Sequence, residues 1–494
     1  MENEQVRYQF LHSTTYSDKI TECVVAVIKN LNNNTVKLEF IKNPKRKVFI
    51  SHPALRQKQN RKELYVEARD VDEYTVTNHR LRQELSDLLY GTSFNGYVPL
   101  RNLINSPYVF GADINIEVLM KHHYYNLYKA LSEKYRMGGL DIETNVVNEY
   151  QYSSQAPRDE IIIMTYCSAE LNMFIGVHRK FLENGKVKHT EAEVYSCIIA
   201  TLDKFRENIN EVARKIYDTF RPKVTLRIYD DELSLIRGCG SVIHEDKPEY
   251  VGIWNMDFDV PRIAARITAL GGDPKEFFCH PDVPKELQVF KYSRDDNPDL
   301  QHPSHAWHVT QATGYSWFYD AMCLYSRLRK FDGLEDSYGL DAISTKHLGA
   351  GKQSFNEGSH YDMQTGDKVN YCAYAVVDSI LPVLLEHKNN DLVQMHTLMT
   401  YSDLPSFAQQ TVQLKNRFYD YCRQNGKVSS SQMGKVTMEC DEDIVNVGGN
   451  VLEPGLAWRT GVNRIKELLK AGLKYLKNKL QFLVNDIDVA FCLK

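Results

Sequence analysis

The sequence lacks the features that would assign it to a specialised class at once. Its ten cysteines contain no Cys-x-x-Cys pair, so they read as reduced, mostly structural thiols of a cytoplasmic compartment. No apolar run approaches ~18 residues, so no membrane span is expected. The opening Met1-Glu2-Asn3-Glu4 is polar and acidic, which excludes a secretory signal there. Neither sign of charge dominates: 60 basic and 64 acidic residues leave a net charge of −4. A nucleic-acid site would therefore have to be a local groove rather than a global basic field. There is no internal repeat, no low-complexity segment and no Gly-x-Ser-x-Gly elbow. Gly349-Ala350-Gly351-Lys352 resembles part of a phosphate loop, but Lys346 and Gln353 stand where that loop needs Gly and Ser or Thr.

What is present is an ordinary globular composition, 43% hydrophobic and 25% charged, with 30 tyrosines. The 494 residues imply two to four domains. Val24-Val25-Ala26-Val27-Ile28 and Val36-Lys37-Leu38-Glu39-Phe40 read as paired strands joined by Asn32-Asn33-Asn34. A basic stretch over 42–62 reads as solvated surface. Residues 113–135 read as helical. From 136 the pattern becomes α/β. Strands are expected over 161–166, 173–177 and 250–255, and helices over 256–270, 319–330, 336–348 and 369–387. Residues 275–310 are rich in Pro, His and Asp and read as an irregular insertion. Within it His302, His305 and His308, with nearby Cys279 and His280, do not match a zinc spacing.

One stretch organises the rest. In Leu140-Asp141-Ile142-Glu143-Thr144 the two acids alternate with apolar residues, so on a strand they share a face. Like charges so placed favour a hard divalent cation between them. Such acidic triplets should arise roughly eight times by chance in a chain this acidic, so the pair needs partners. Asn255-Met256-Asp257-Phe258-Asp259 lies at a strand-to-helix junction. Asp259 there is a metal-ligand candidate; the bland account is a helix cap. Tyr374 and Asp378 are four apart on a helix and share its face.

This ordered set resembles the DEDDy-type 3′→5′ exonuclease domain of family B DNA polymerases, most closely those of large tailed bacteriophages. Asp141-Ile142-Glu143-Thr144, Asn255-x-x-Phe258-Asp259 and Tyr374-x-x-x-Asp378 are similar to its three exonuclease motifs. Tyr319-Asp320 through Tyr325 and Tyr338-Gly339-Leu340-Asp341-Ala342-Ile343 also fit the family's pattern. The likeness covers about residues 105 to 455. It implies an α/β (α+β) architecture: an RNase H-like exonuclease domain with a mixed sheet flanked by helices. A β-rich N-terminal domain would precede it and a partial, palm-proximal segment would follow.

The implied boundaries are an N-terminal domain over 1–135, the exonuclease over 136–387, a return to the N-terminal domain over 388–455 and the start of a palm over 456–494. The resemblance implies that Asp141, Glu143, Asp259 and Asp378 hold two Mg²⁺ or Mn²⁺ ions, with Tyr374 orienting the attacking water. Thr144, Asn255 and Phe258 would grip a single-stranded DNA 3′ end, and Lys352 would contact the scissile phosphate region. Gly339 departs from the family, which usually carries Ser or Thr there. Gly448-Gly449-Asn450-Val451 and the segment 484–490, with Asp488, resemble elements at the entry to the palm.

The expectation is then a proofreading exonuclease subunit of a split polymerase, inactive in polymerisation by itself. A second chain would carry the rest of palm, fingers and thumb, and a sliding clamp is a further candidate partner. Its place would be the cytoplasm, that of the bacterial host if the protein is viral. Two alternatives stand beside it: a non-catalytic structural or DNA-binding subunit, and a free-standing repair exonuclease.

Overall fold

In the computed structural model, residues 7–56, 63–146, 160–184, 187–295, 302–352, 360–432, 436–440 and 443–447 are described. The expected elements at 448–451, 462–481 and 482–490, Asp488 included, lie outside these residues, as does the end of the basic stretch. The structure is mixed α/β.

Two compact units divide the chain, and neither is continuous in sequence. One comprises residues 1–18, 23–42 and 124–400; the other comprises 19–22, 43–123 and 401–494. The expected contiguous domain over 1–135 is thus shared between them.

The first unit is built on a six-stranded sheet. Its strands are β1 (Met137–Thr144), β2 (Ile161–Cys167), β3 (Met173–His178), β4 (Val224–Tyr229), β5 (Tyr250–Ile253) and β6 (Trp317–Asp320). Their order across the sheet is β4-β3-β2-β1-β5-β6. The β1–β2 and β2–β3 pairs are antiparallel, and β3–β4, β1–β5 and β5–β6 are parallel. β1 therefore sits in the middle, buried on both faces.

Helices cover both sides. Helix α1 (Glu232–Asp246) and helix α2 (Met256–Ala269) pack on one face, with Leu235, Ile236, Cys239, Ile243, Val260 and Ile263 in a core shared with Leu140 and Ile142. Across the sheet runs α6, after α3 (Ala321–Leu328), α4 (Leu340–Leu348) and α5 (His360–Gly366). Helix α6 spans Lys368–Asn389 and is buried from Tyr371 to Leu385. It is long and apolar enough to cross a membrane by composition, but 89% of that window is buried inside the fold, so its apolarity is that of a core helix. The stretch 275–310 is less irregular than expected: its Phe290–Ser293 pairs antiparallel with Val309–Ala312, which runs just past its end.

The expected hairpin also belongs to this unit. Glu22–Asn30 pairs with Thr35–Lys42, and the turn is closed by the Asn33 side chain accepting from the Thr35 N–H at 3.1 Å. A buried ion pair, Lys29 to Glu249 at 2.8 Å, ties the hairpin to the residues just before β5.

In the second unit, Lys45–Ser51 lies between Val71–Thr77 and Val109–Phe110. Helices Leu81–Tyr90 and Leu100–Asn105 enclose a core of Val48, Ile50, Leu85, Leu103 and Val109. Lys427–Ser429 pairs with Tyr65–Glu67, bringing residues beyond 400 onto the early chain.

Candidate active site

Alternation along β1 sorts its side chains. Leu140 and Ile142 go to the core under α1 and α2, so Asp141 and Glu143 go to the face that α6 covers. Asp141 stands opposite Thr165, whose hydroxyl donates to the Ala375 carbonyl of α6 at 3.1 Å. The register shifts between Glu143 and Thr144. Helical periodicity puts Tyr371, Tyr374 and Asp378 on the stripe of α6 that meets this face.

Sheet and helix bring three carboxylates together. Ligand oxygens of Asp141, Glu143 and Asp378 lie within 4.8 Å of one another. Asp259, on the first turn of α2, lies outside that trio, but its charge is felt against both Asp141 and Glu143. Glu143, Asp259 and Asp378 are buried.

The electrostatics follow from this crowding. Burial, then the Asp378 charge, pushes the Asp141 carboxyl up to about 7, against the pull of Lys352. Burial and then Asp141 and Asp378 push Glu143 well above the usual carboxylate range. Burial and then Asp141 and Glu143 do the same to Asp259. Burial raises Asp378 too, while Lys352 and Tyr374 pull it down. Like charges this close and this dry stay ionised only with added positive charge. One side chain supplies some. Lys352 Nζ pairs with Asp378 Oδ2 and donates to the Tyr374 hydroxyl at 3.0 Å. Burial opposes its charge, but Asp378 and Asp141 outweigh that and hold the ammonium above its ordinary range.

A divalent cation fits what is left. Among the described residues, the Asp378 Oδ1 atom is buried without a hydrogen-bond partner, and three carboxylates face the Lys352 ammonium. All-oxygen donors of this kind suit a hard cation such as Mg²⁺ or Mn²⁺.

The loop carrying Lys352 explains the phosphate-loop look-alike. Gly349 ends α4 with φ of 82°. Three residues on, Asp341 Oδ1 accepts the Lys352 N–H at 2.8 Å, which fixes the backbone from which Lys352 reaches Asp378. Asp320 performs a similar service for Asp259. Its Oδ1 caps α3 at the Cys323 N–H (2.8 Å), and its Oδ2 accepts the Met256 N–H (3.2 Å) at the start of α2.

The remaining sequence candidates surround this centre in different ways. Asn255 is exposed at the head of α2 and makes no side-chain capping bond. Phe258 is partly buried, and the Arg262 guanidinium lies 3.3 Å from its ring centroid, so one aromatic face is already covered. Thr144 is buried, and its carbonyl accepts from Gln364 Nε2 at 2.7 Å. Gly339 precedes α4 with φ −60° and ψ 145°, leaving room for a side chain.

Sequence reasoning passed over Tyr371, whose hydroxyl donates to Glu143 Oε2. Its spacing of three from Tyr374 was the available signal.

A second grouping, His308, Asp320 and Cys323, also brings ligand-type atoms within 4.8 Å. Hydrogen bonds account for it. His308 Nδ1 accepts the Asp295 N–H at 3.2 Å, and the two Asp320 oxygens accept the Cys323 and Met256 N–H groups. Cys279, His280 and His302 serve separate bonds, to Val289 O, His244 O and Ser304 Oγ.

Residues 109–343 match the family model described as DNA polymerase family B, exonuclease domain. Comparison with curated proteins returns no match. The matched segment carries Asp141, Glu143, Asn255, Phe258 and Asp259 and stops before Lys352, Tyr374 and Asp378. It supports a nuclease, and exonuclease domains of this family use divalent metals, which agrees with the carboxylate cluster.

Proposed function

We propose that this chain is a metal-dependent 3′→5′ DNA exonuclease of the four-carboxylate-plus-tyrosine type, proofreading for a family B polymerase. The observation that carries the reading is the meeting of Asp141, Glu143 and Asp378 within 4.8 Å across β1 and α6, with Lys352 and Tyr374 on the same side chain network. Two Mg²⁺ or Mn²⁺ ions would supply Lewis-acid stabilisation of the attacking and leaving oxygens and lower the pKa of the attacking water.

The chain's own residues do the rest. Asp141, Glu143, Asp259 and Asp378 hold the charge that anchors the ions. The Tyr374 hydroxyl orients the water in line with the P–O3′ bond. Water adds at phosphorus, the P–O3′ bond breaks, and a nucleoside 5′-monophosphate leaves behind a new 3′-hydroxyl. The Lys352 ammonium offsets phosphate charge. Asn255, Thr144 and the open face of Phe258 grip the frayed 3′ end, a stacked base adding ~1–3 kcal/mol. A partner chain with a polymerising palm is part of the proposal, and co-purification of the two is its check.

The primary test is digestion of a 5′-labelled single strand by the full chain with Mg²⁺ or Mn²⁺. A ladder shortening from the 3′ end is expected, and Asp141→Ala should abolish it. A folded wild-type chain that leaves the strand intact with either ion would end this reading.

A further inference from the structure

Helix α6 puts two tyrosines on the site's face, and the proposed chemistry uses one. Tyr371 and Tyr374 stack with ring centroids 5.9 Å apart and planes 7° apart. Tyr371 is fully buried, and its hydroxyl is bonded to Glu143 Oε2. Burial and then the Glu143 charge raise its pKa, so at neutral pH it remains a donor.

Behind it lies Gln364 of α5, itself 2% exposed. Its Nε2 donates to the Tyr371 hydroxyl at 3.1 Å and to the Thr144 carbonyl at 2.7 Å, while its Oε1 accepts the Val146 N–H at 2.9 Å. These bonds fall beside the register shift between Glu143 and Thr144, after which the β1–β2 pairing resumes with Thr144 opposite Ile161. One glutamine holds that backbone at two points and the tyrosine at a third.

We infer that Tyr371 and Gln364 are positioning residues that fix Glu143 for metal binding, Tyr371 holding Oε2 and so setting the orientation of the carboxylate that meets Asp141 and Asp378. This rests on the metal-site reading of the carboxylates. Neither residue touches substrate. Their effect passes through the orientation of a ligand, as outer-shell partners of metal sites act.

The test is Mn²⁺ titration of the full chain followed by electron paramagnetic resonance, beside steady-state digestion. Tyr371→Phe removes one hydroxyl and keeps the ring stack. It should weaken Mn²⁺ binding and lower kcat by about 10–100-fold each, with KM for a single-stranded oligonucleotide unchanged. Gln364→Met loses both donated bonds, keeps nearly the same volume and adds no charge; it should shift Mn²⁺ affinity the same way by a smaller factor. Mn²⁺ affinity and kcat at wild-type values in Tyr371→Phe overturn the inference. If that variant fails to fold, wild-type Mn²⁺ affinity in Gln364→Met overturns it instead. A wild-type chain that binds Mn²⁺ yet leaves DNA intact removes the exonuclease reading, while the Mn²⁺ affinities still decide the role of Tyr371.

Discussion

Gly139 of β1 faces the carbonyl oxygen of Ser379 on α6 so closely that a Cβ there would land inside 3.0 Å of it. The obstacle is helix backbone, which cannot turn aside. Ser379 follows Asp378, and Gly139 lies two residues before Asp141 on the same face. The glycine therefore sets the separation of the two elements that carry the carboxylates. Gly139→Ala should destabilise the fold by about 1–3 kcal/mol, as overpacking does. It should also reduce single-turnover hydrolysis, because Asp378 is pushed away from Asp141. Denaturant unfolding and rapid-quench digestion would read the two effects.

Charge crowding makes the site unstable on its own. Asp141→Asn removes one of the clustered charges and should raise the metal-free thermal midpoint at pH 8, by roughly 1 kcal/mol in stability. The same change should cost at least ~10²-fold in hydrolysis. A lower midpoint in calorimetry would contradict this account of the cluster.

The pH dependence of stability follows with a definite sign. Asp141 has a folded pKa of about 7, above its unfolded value, and Glu143, Asp259 and Asp378 are raised as well. Between the unfolded carboxylate range and about pH 7 the folded chain holds more protons than the unfolded one, so stability falls as pH rises through that window. Metal-free protein should be more stable near pH 5 than near pH 8, by ~2 kcal/mol from these groups. Saturating Mg²⁺ should flatten the slope, because bound ions replace the protons. Urea midpoints with EDTA and with Mg²⁺ measure both curves.

Lys352 supplies the cluster's counter-charge. Its side chain is 31% exposed against 2% for Asp378, so breaking the pair leaves the acid stranded while water still reaches the lysine's place. Lys352→Met should cost the metal-free chain about 1–2 kcal/mol, less than the 3–5 of a fully buried pair. Mn²⁺ should restore most of that loss in thermal unfolding.

Gly339 stands at the head of α4 with a backbone any residue adopts and with its nearest neighbour, Ser337 Oγ, at 3.4 Å. Gly339→Ser should be accepted and stabilise by a few tenths of a kcal/mol as a helix cap. If the hydroxyl also reaches the 3′ end, KM for single strands should fall. Calorimetry and steady-state kinetics separate the two.

Much of the centre was legible in the chain because its signals are local. The alternation of Asp141 and Glu143 is strand periodicity, and the spacing of Tyr374 and Asp378 is helix periodicity. Asn255 to Asp259 marks a strand-to-helix junction. Each reads from a handful of neighbours. The elements around Tyr250, Met256, Leu340 and Lys368 were likewise visible from apolar spacing and caps.

Other features are long-range, and only the tertiary structure decided them. The hydroxyl of Tyr371 meets Glu143 across 228 residues, and Gln364 binds the Thr144 carbonyl across 220. Asp341 holds the Lys352 backbone, a service that no periodicity announces. Arg262 covers one face of Phe258, and the hairpin over 23–42 joins the unit of residues 124–400 rather than that of residues 43–123. Such contacts depend on which buried surfaces fit together, a property of side-chain volumes and unpaired polar groups summed over distant segments. The sequence by itself determined which residues carry charge and which face of each element they occupy. The packing of α6 against β1, as close as Gly139 permits, decided that three of those carboxylates meet.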